Sequence, residues 1–224
     1  MFMKGSTAAA ATLLLMLSTT AGAVNFAGAN TGDIPDAPAG APACGVANET
    51  GTPRLVTFNV SGLTANIQTV GLTLDIQHPY RGDLVVKLLP PGGTPVKVIF
   101  AHTQTTAADG CGSPFPVDGL YRFYDNAPYR NDWTTNYTNG DFWASTQIPT
   151  KPGDYRASQA GGDQNGGFTV PMSTGFTGLT PAQANGTWTL SVLDAGDGET
   201  GTVRAATLYI NEALPVTLQQ FSID

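Results

Sequence analysis

Along the stretch from Val70 to Gln77, the apolar residues Val70, Leu72, Leu74 and Ile76 alternate with Gly71, Thr73, Asp75 and Gln77. A period of two places one face of an extended strand in a core and the other in water, and the same residues on a helix would scatter around its axis. The alternation recurs at Val56, Phe58 and Val60, at Leu84, Val86 and Leu88, at Val96, Val98 and Phe100, and at Trp188, Leu190 and Val192. A last apolar strand runs from Val203 to Ile210. Turn residues punctuate these runs, including Pro90, Pro91, Gly92 and Gly93 and a Gly and Asp turn before the last strand. Many short strands without an amphipathic helix predict an all-β fold, an antiparallel β-sandwich of jelly-roll type. Composition agrees, because 27 Gly and 16 Pro against 12% charged residues imply frequent turns and few long surface helices.

A net charge of -7 with only 10 Lys and Arg leaves no positive face for phosphates and excludes a nucleic-acid partner, whereas acidic loops suit a cation. Residues 1–23 read as a signal peptide: Lys4 supplies the positive start, Ala8 to Leu17 the apolar stretch, and Ala21, Gly22 and Ala23 the cleavage site, so the mature chain is expected to start at Val24. No later segment is apolar enough to span a bilayer, and the expected location is secreted, extracellular or periplasmic. In such a compartment Cys44 and Cys111 most simply form one disulfide, since no close Cys or His pair begins a zinc site with His78 and His102. Residues 24–50, rich in Ala, Gly and Pro, read as a linker or loosely held arm. The stretch from Ala101 to Gly175 underdetermines the fold. Its aromatic residues, among them Tyr121, Phe123, Trp133 and Trp143, fit core plugs under a long loop or a stacking platform for sugars.

Two segments go beyond fold class. HPYRGDL, from His78 to Leu84, follows an apolar strand, and NGTWTLSVLDAGDGETGTV, from Asn185 to Val203, holds a strand, an acidic Gly turn and the entry to the last strand. Both resemble the P domain (P/Homo B domain), the galactose-binding-like accessory module that stands behind subtilisin-like and kexin-like serine proteases. Weaker matches lie between them at PPGGTPV, FYDNA and GDYR, in family order, so the resemblance covers about residues 51 to 212 with a tail at 213–224. The last strand carries Ala206 where the family has an aromatic residue, and Ala157 replaces an expected proline. The resemblance implies a non-catalytic module that stabilises a peptidase. It gives His78, Tyr80, Arg81, Gly82, Asp83 and Trp188 structural roles, with a subtilisin-like protease or another secreted protein as partner.

Chemistry in the residues themselves is sparse. Triad hydrolysis needs a His beside a Ser and a carboxylate, and the mature chain offers only His78 and His102, neither beside a Gly-x-Ser-x-Gly signature. Arg81-Gly82-Asp83 invites an adhesive reading, but turn chemistry accounts for it if Gly82 supplies a positive φ and Asp83 accepts N–H groups at the strand start. Asp194, Asp197 and Glu199 share one Gly-rich turn, a half-site for calcium, with Asp83 and Asp125 the next carboxylates to consider and a solvated acidic turn the alternative. The tail LPVTLQQFSID resembles the segment preceding sorting regions of some exported bacterial proteins and equally fits a last strand docking on the domain.

Overall fold

The computed structural model describes residues 24–41, 49–102, 111–125, 127, 131–132, 137–138, 151–158 and 169–211. In chain order the strands are β1 (Val24–Ala29), β2 (Gly32–Ile34), β3 (Arg54–Val60), β4 (Val70–His78), β5 (Leu84–Leu89), β6 (Lys97–Ala101) and β7 (Val117–Phe123). They continue with β8 (Asn131–Asp132), β9 (Tyr137–Thr138), β10 (Gly153–Tyr155), β11 (Ala157–Ser158), β12 (Thr169–Val170), β13 (Gly186–Asp194) and β14 (Gly201–Ile210). One short helix, α1 (Pro181–Ala184), precedes β13. The chain is an antiparallel β-sandwich: one layer has the order β10-β7-β4-β14-β1, the other β1-β3-β13-β5-β6, and β2 adds to β14. The parallel pairing of β10 with β7 is the departure from the expected antiparallel pattern.

The strands read from the alternation are all present, but of those that follow one another in the chain only β5 and β6 pair. β4 bonds to β14 and β7, while β5 bonds to β13 and β6, so the chain crosses from one layer to the other between them. The inward face is dry: Phe58, Leu72, Leu74, Trp188, Leu190 and Val192 are all 0% exposed. The Trp188 ring meets Phe176 edge-on at 5.0 Å between centroids, and its Nε1–H donates to the Ala184 carbonyl at 2.8 Å. That bond removes the cost of burying an indole N–H, and the four-residue α1 places the carbonyl that accepts it.

Residues 24–34, expected as part of an arm, are built into the sheets. Val24–Ala27 pair with β14, and Gly28 and Ala29 pair with Phe58 and Thr57 of β3, so β1 stitches the two layers along one edge. Gly28 permits the change of layer, because a Cβ there would lie 2.6 Å from Val56 Cγ1 and 3.1 Å from the Ala206 carbonyl. Small residues thus meet where β1 crosses, Gly28 beside Ala206. Of the aromatic stretch, Tyr121 and Phe123 are core residues. The side chains of Tyr129, Trp133, Tyr137, Phe142 and Trp143 lie outside the described residues, as do the expected signal peptide, Cys44 and the tail at 213–224. No helix among the described residues is long and apolar enough to cross a membrane.

Candidate functional site

β4 ends at His78 in one layer and β5 begins at Leu84 in the other, so the turn between them carries the chain across the end of the sandwich. Residues Arg81–Asp83 form a single 3₁₀ turn. Its backbone is bound by the segment leading to β7: Arg81 N–H donates to the Phe115 carbonyl at 3.0 Å and Gly82 N–H to the Ser113 carbonyl at 2.9 Å. The Arg81 Nη2 donates to Ser113 Oγ at 2.9 Å. Gly82 is not among the glycines with positive φ, which corrects the expected reason for it. The requirement is space, since a Cβ at Gly82 would stand 1.6 Å from the Cys111 carbonyl oxygen. With Arg81 0% and Asp83 2% exposed, the Arg-Gly-Asp triplet cannot be reached by a receptor, and an adhesive role through it is ruled out in the folded chain.

His78 and Asp194 are both 0% exposed, and His78 Nε2 lies 2.9 Å from Asp194 Oδ2. The other ring nitrogen, Nδ1, faces the Tyr80 backbone, 2.8 Å from its carbonyl oxygen and 3.1 Å from its nitrogen. Asp194 Oδ1 accepts from Gly196 N–H at 3.1 Å, and Ala195 N–H donates to the Asp83 carbonyl at 2.9 Å. Asp83 presses on the same turn, because a Cβ at Gly196 would fall 2.4 Å from its Cγ. Its carboxyl is pushed up to about 7, first by burial and then by the charge of Asp194, with Glu199 and Asp36 adding and His78 opposing. A His–Asp pair is part of a hydrolase triad, but a nucleophile must sit at the second ring nitrogen. At His78 that position is main chain. The pair locks a turn, and among the described residues no hydroxyl is bonded to it.

His102 is 1% exposed, with burial lowering the affinity of its ring for a proton, and its Nε2 lies 3.8 Å from Glu49 Oε1, beyond hydrogen-bond length. His78 is spent on Asp194 and Tyr80.

The acidic turn is closed by residues that sequence reading assigned to the arm. Asp197 Oδ2 accepts from Gly40 N–H at 2.8 Å, and Gly198 N–H reaches Asp36 Oδ1 and Oδ2 at 3.2 and 3.3 Å. Glu199 is exposed. Asp125 belongs to the opposite end: it follows Phe123, which pairs with Leu72 near the start of β4, and its Oδ1 accepts from Ser173 N–H at 2.8 Å. The structure therefore gathers Asp83, Asp194 and Asp197 with Asp36 and separates Asp125 from them. A calcium ion needs several oxygens free to converge. Here both Asp194 oxygens face His78 and Gly196, and Asp36 and Asp197 are turned to backbone donors. Among the described residues no three His, Cys, Asp or Glu side chains stand where they would hold one metal ion. This donor set does not fit calcium. Asp36 and Gly40 left no signal beyond one Asp and one Gly in an Ala/Pro stretch.

The buried His78–Asp194 pair closes the crossing turn at one end of the sandwich. Over residues 67–114, which contain that turn, the chain matches the model of the proprotein convertase P-domain, and the resemblance read from its motifs stands. The P domain is a non-catalytic accessory module. The chain is 26% identical over 147 residues to the "Calcium-dependent protease" of Nostoc sp. (strain PCC 7120 / SAG 25.82 / UTEX 2576), covering 66% of this chain and 14% of that protein. It thus spans a small part of that relative's length. The serine protease of Aeromonas sobria, solved alone and with its chaperone, overlaps 84% of this chain and 27% of its own at 12% identity and a TM-score of 0.38 in each case.

Proposed function

We propose that this chain is a secreted, non-catalytic accessory module that binds a subtilisin-like serine peptidase and stabilises it. The observation that carries the reading is the P-domain match at residues 67–114, because it falls on the part of the chain whose buried turn, His78 to Leu84, joins both layers. The Nostoc relative, itself named a protease, supports the kind of partner. Export is part of the proposal: β1 begins at Val24, immediately after the small residues Ala21, Gly22 and Ala23. So is a Cys44–Cys111 disulfide, which suits an oxidising compartment; no free cysteine occurs among the described residues. Calcium is suggested by the acidic residues of the turn and by the relative's name, and the geometry of the acidic end does not favour it there.

The test is to secrete the chain together with a subtilisin-like peptidase that lacks its own P domain. The reading expects the two to co-purify and the peptidase to inactivate several-fold more slowly at elevated temperature. Unchanged inactivation and separate elution would contradict it.

A further inference from the structure

The segment from Asp36 to Gly40 and the turn from Asp197 to Gly198 exchange hydrogen bonds reciprocally. Each contributes one carboxylate and one glycine N–H: Gly40 N–H to Asp197 Oδ2 at 2.8 Å, and Gly198 N–H to Asp36 at 3.2 and 3.3 Å. Both glycines lie in the left-handed region, Gly40 at φ +75 and Gly198 at φ +116, where other residues are strained. Beneath the exchange the two segments already touch. β2 pairs Gly32–Ile34 with Val203–Gly201 of β14, and Ile34 is 1% and Ala37 4% exposed.

Five carboxylates, those of Asp36, Asp83, Asp194, Asp197 and Glu199, belong to this end, with Asp194, Glu199 and Asp36 each close enough to act on Asp83. Such a collection is commonly drawn together by a divalent cation. Here the carboxylates of Asp36, Asp194 and Asp197 are turned to donors supplied by the chain itself. We propose that the acidic end is a metal-free clasp, in which reciprocal carboxylate–glycine bonds pin the 32–40 segment onto the entry to β14. The clasp holds the segment that continues β1, so the edge where β1 joins the two layers depends on the chain's own hydrogen bonds and not on calcium.

The test uses the whole chain alone, so its outcome is independent of any peptidase partner. Thermal melts are recorded for wild type, Asp36→Ala, Asp197→Ala and Asp197→Asn, each with chelator and with millimolar calcium. The clasp predicts that calcium and chelator leave the wild-type midpoint within about 1 °C, since an ion that does not bind the native state cannot stabilise it. Each alanine variant should melt about 2–4 °C lower, the shift that loss of one solvent-exposed hydrogen bond produces in a chain of this size. Asp197→Asn keeps an acceptor oxygen for Gly40 and should stay within about half of that loss. A rise of several degrees with calcium that Asp197→Asn abolishes would overturn the proposal in favour of a metal site. Alanine variants that melt with wild type would overturn it in favour of a loose acidic loop.

Discussion

Each end of the sandwich buries charge, but in a different way. At one end His78, Arg81, Asp83 and Asp194 interlock, with the 3₁₀ turn, the segment before β7 and the turn after β13 all contributing partners. At the other, Lys97 is 7% exposed and its Nζ donates to the Pro171 carbonyl at 2.8 Å, with Asp125 the nearby counter-charge. Burial disfavours the charged form at both, pushing the Asp83 carboxyl up to about 7 and the Lys97 ammonium down to about 8. The first end is a network in which removing one member strands another. The second is a single cation resting on a carbonyl near Asp125, which keeps its own bond to Ser173 N–H, and its loss should be absorbed more easily.

The largest expected effect follows from that difference. His78→Ala leaves Asp194 buried without its partner and should cost about 3–5 kcal/mol in urea unfolding. Cleaving the proposed Cys44–Cys111 bridge should come next, at about 2–4 kcal/mol, because it closes a long loop and its Cys111 end packs on Gly82 of the same network. Lys97→Met, which strands the Pro171 carbonyl and leaves Asp125 still bonded to Ser173 N–H, should cost about 1–3 kcal/mol. Equal losses for His78→Ala and Lys97→Met would break the contrast, and a reversed order would invert it.

The central strands were legible because β3, β4, β13 and β14 bury one face or both, so long alternating runs survive in the sequence. β1 was not. It is a half-buried strand shared between two layers, with Val24 and Phe26 as its only large apolar residues, and its Gly28 and Ala29 are small because the layers meet there. The Arg-Gly-Asp turn was located correctly, but the reason for Gly82 was not readable, since the backbone that crowds it arrives from Cys111 and Ser113, far along the chain. The acidic turn was found from its own residues. Its partners Asp36 and Gly40 were missed for the same cause, as contacts across some 160 positions leave no local periodicity. Asp125 shares the residue type of the acidic end and not its place, which spacing alone cannot show.

The pH dependence of stability tests most directly whether the acidic end is the closed, buried network described. A carboxyl raised from its ordinary 3.8 to about 7 binds its proton more tightly folded than unfolded, so its favourable contribution is complete below about pH 4 and is lost as pH rises to about 7. Lys97, lowered from 10.5 to about 8, has the opposite slope and adds stability only as pH climbs from about 8 to 10.5. The measurement is the urea midpoint of wild type and Asp83→Asn at intervals from pH 4 to 7. The network predicts that wild type loses stability relative to Asp83→Asn steadily across that range. Parallel curves would mean that Asp83 titrates as it does in the unfolded chain, and that this end of the sandwich is open to water.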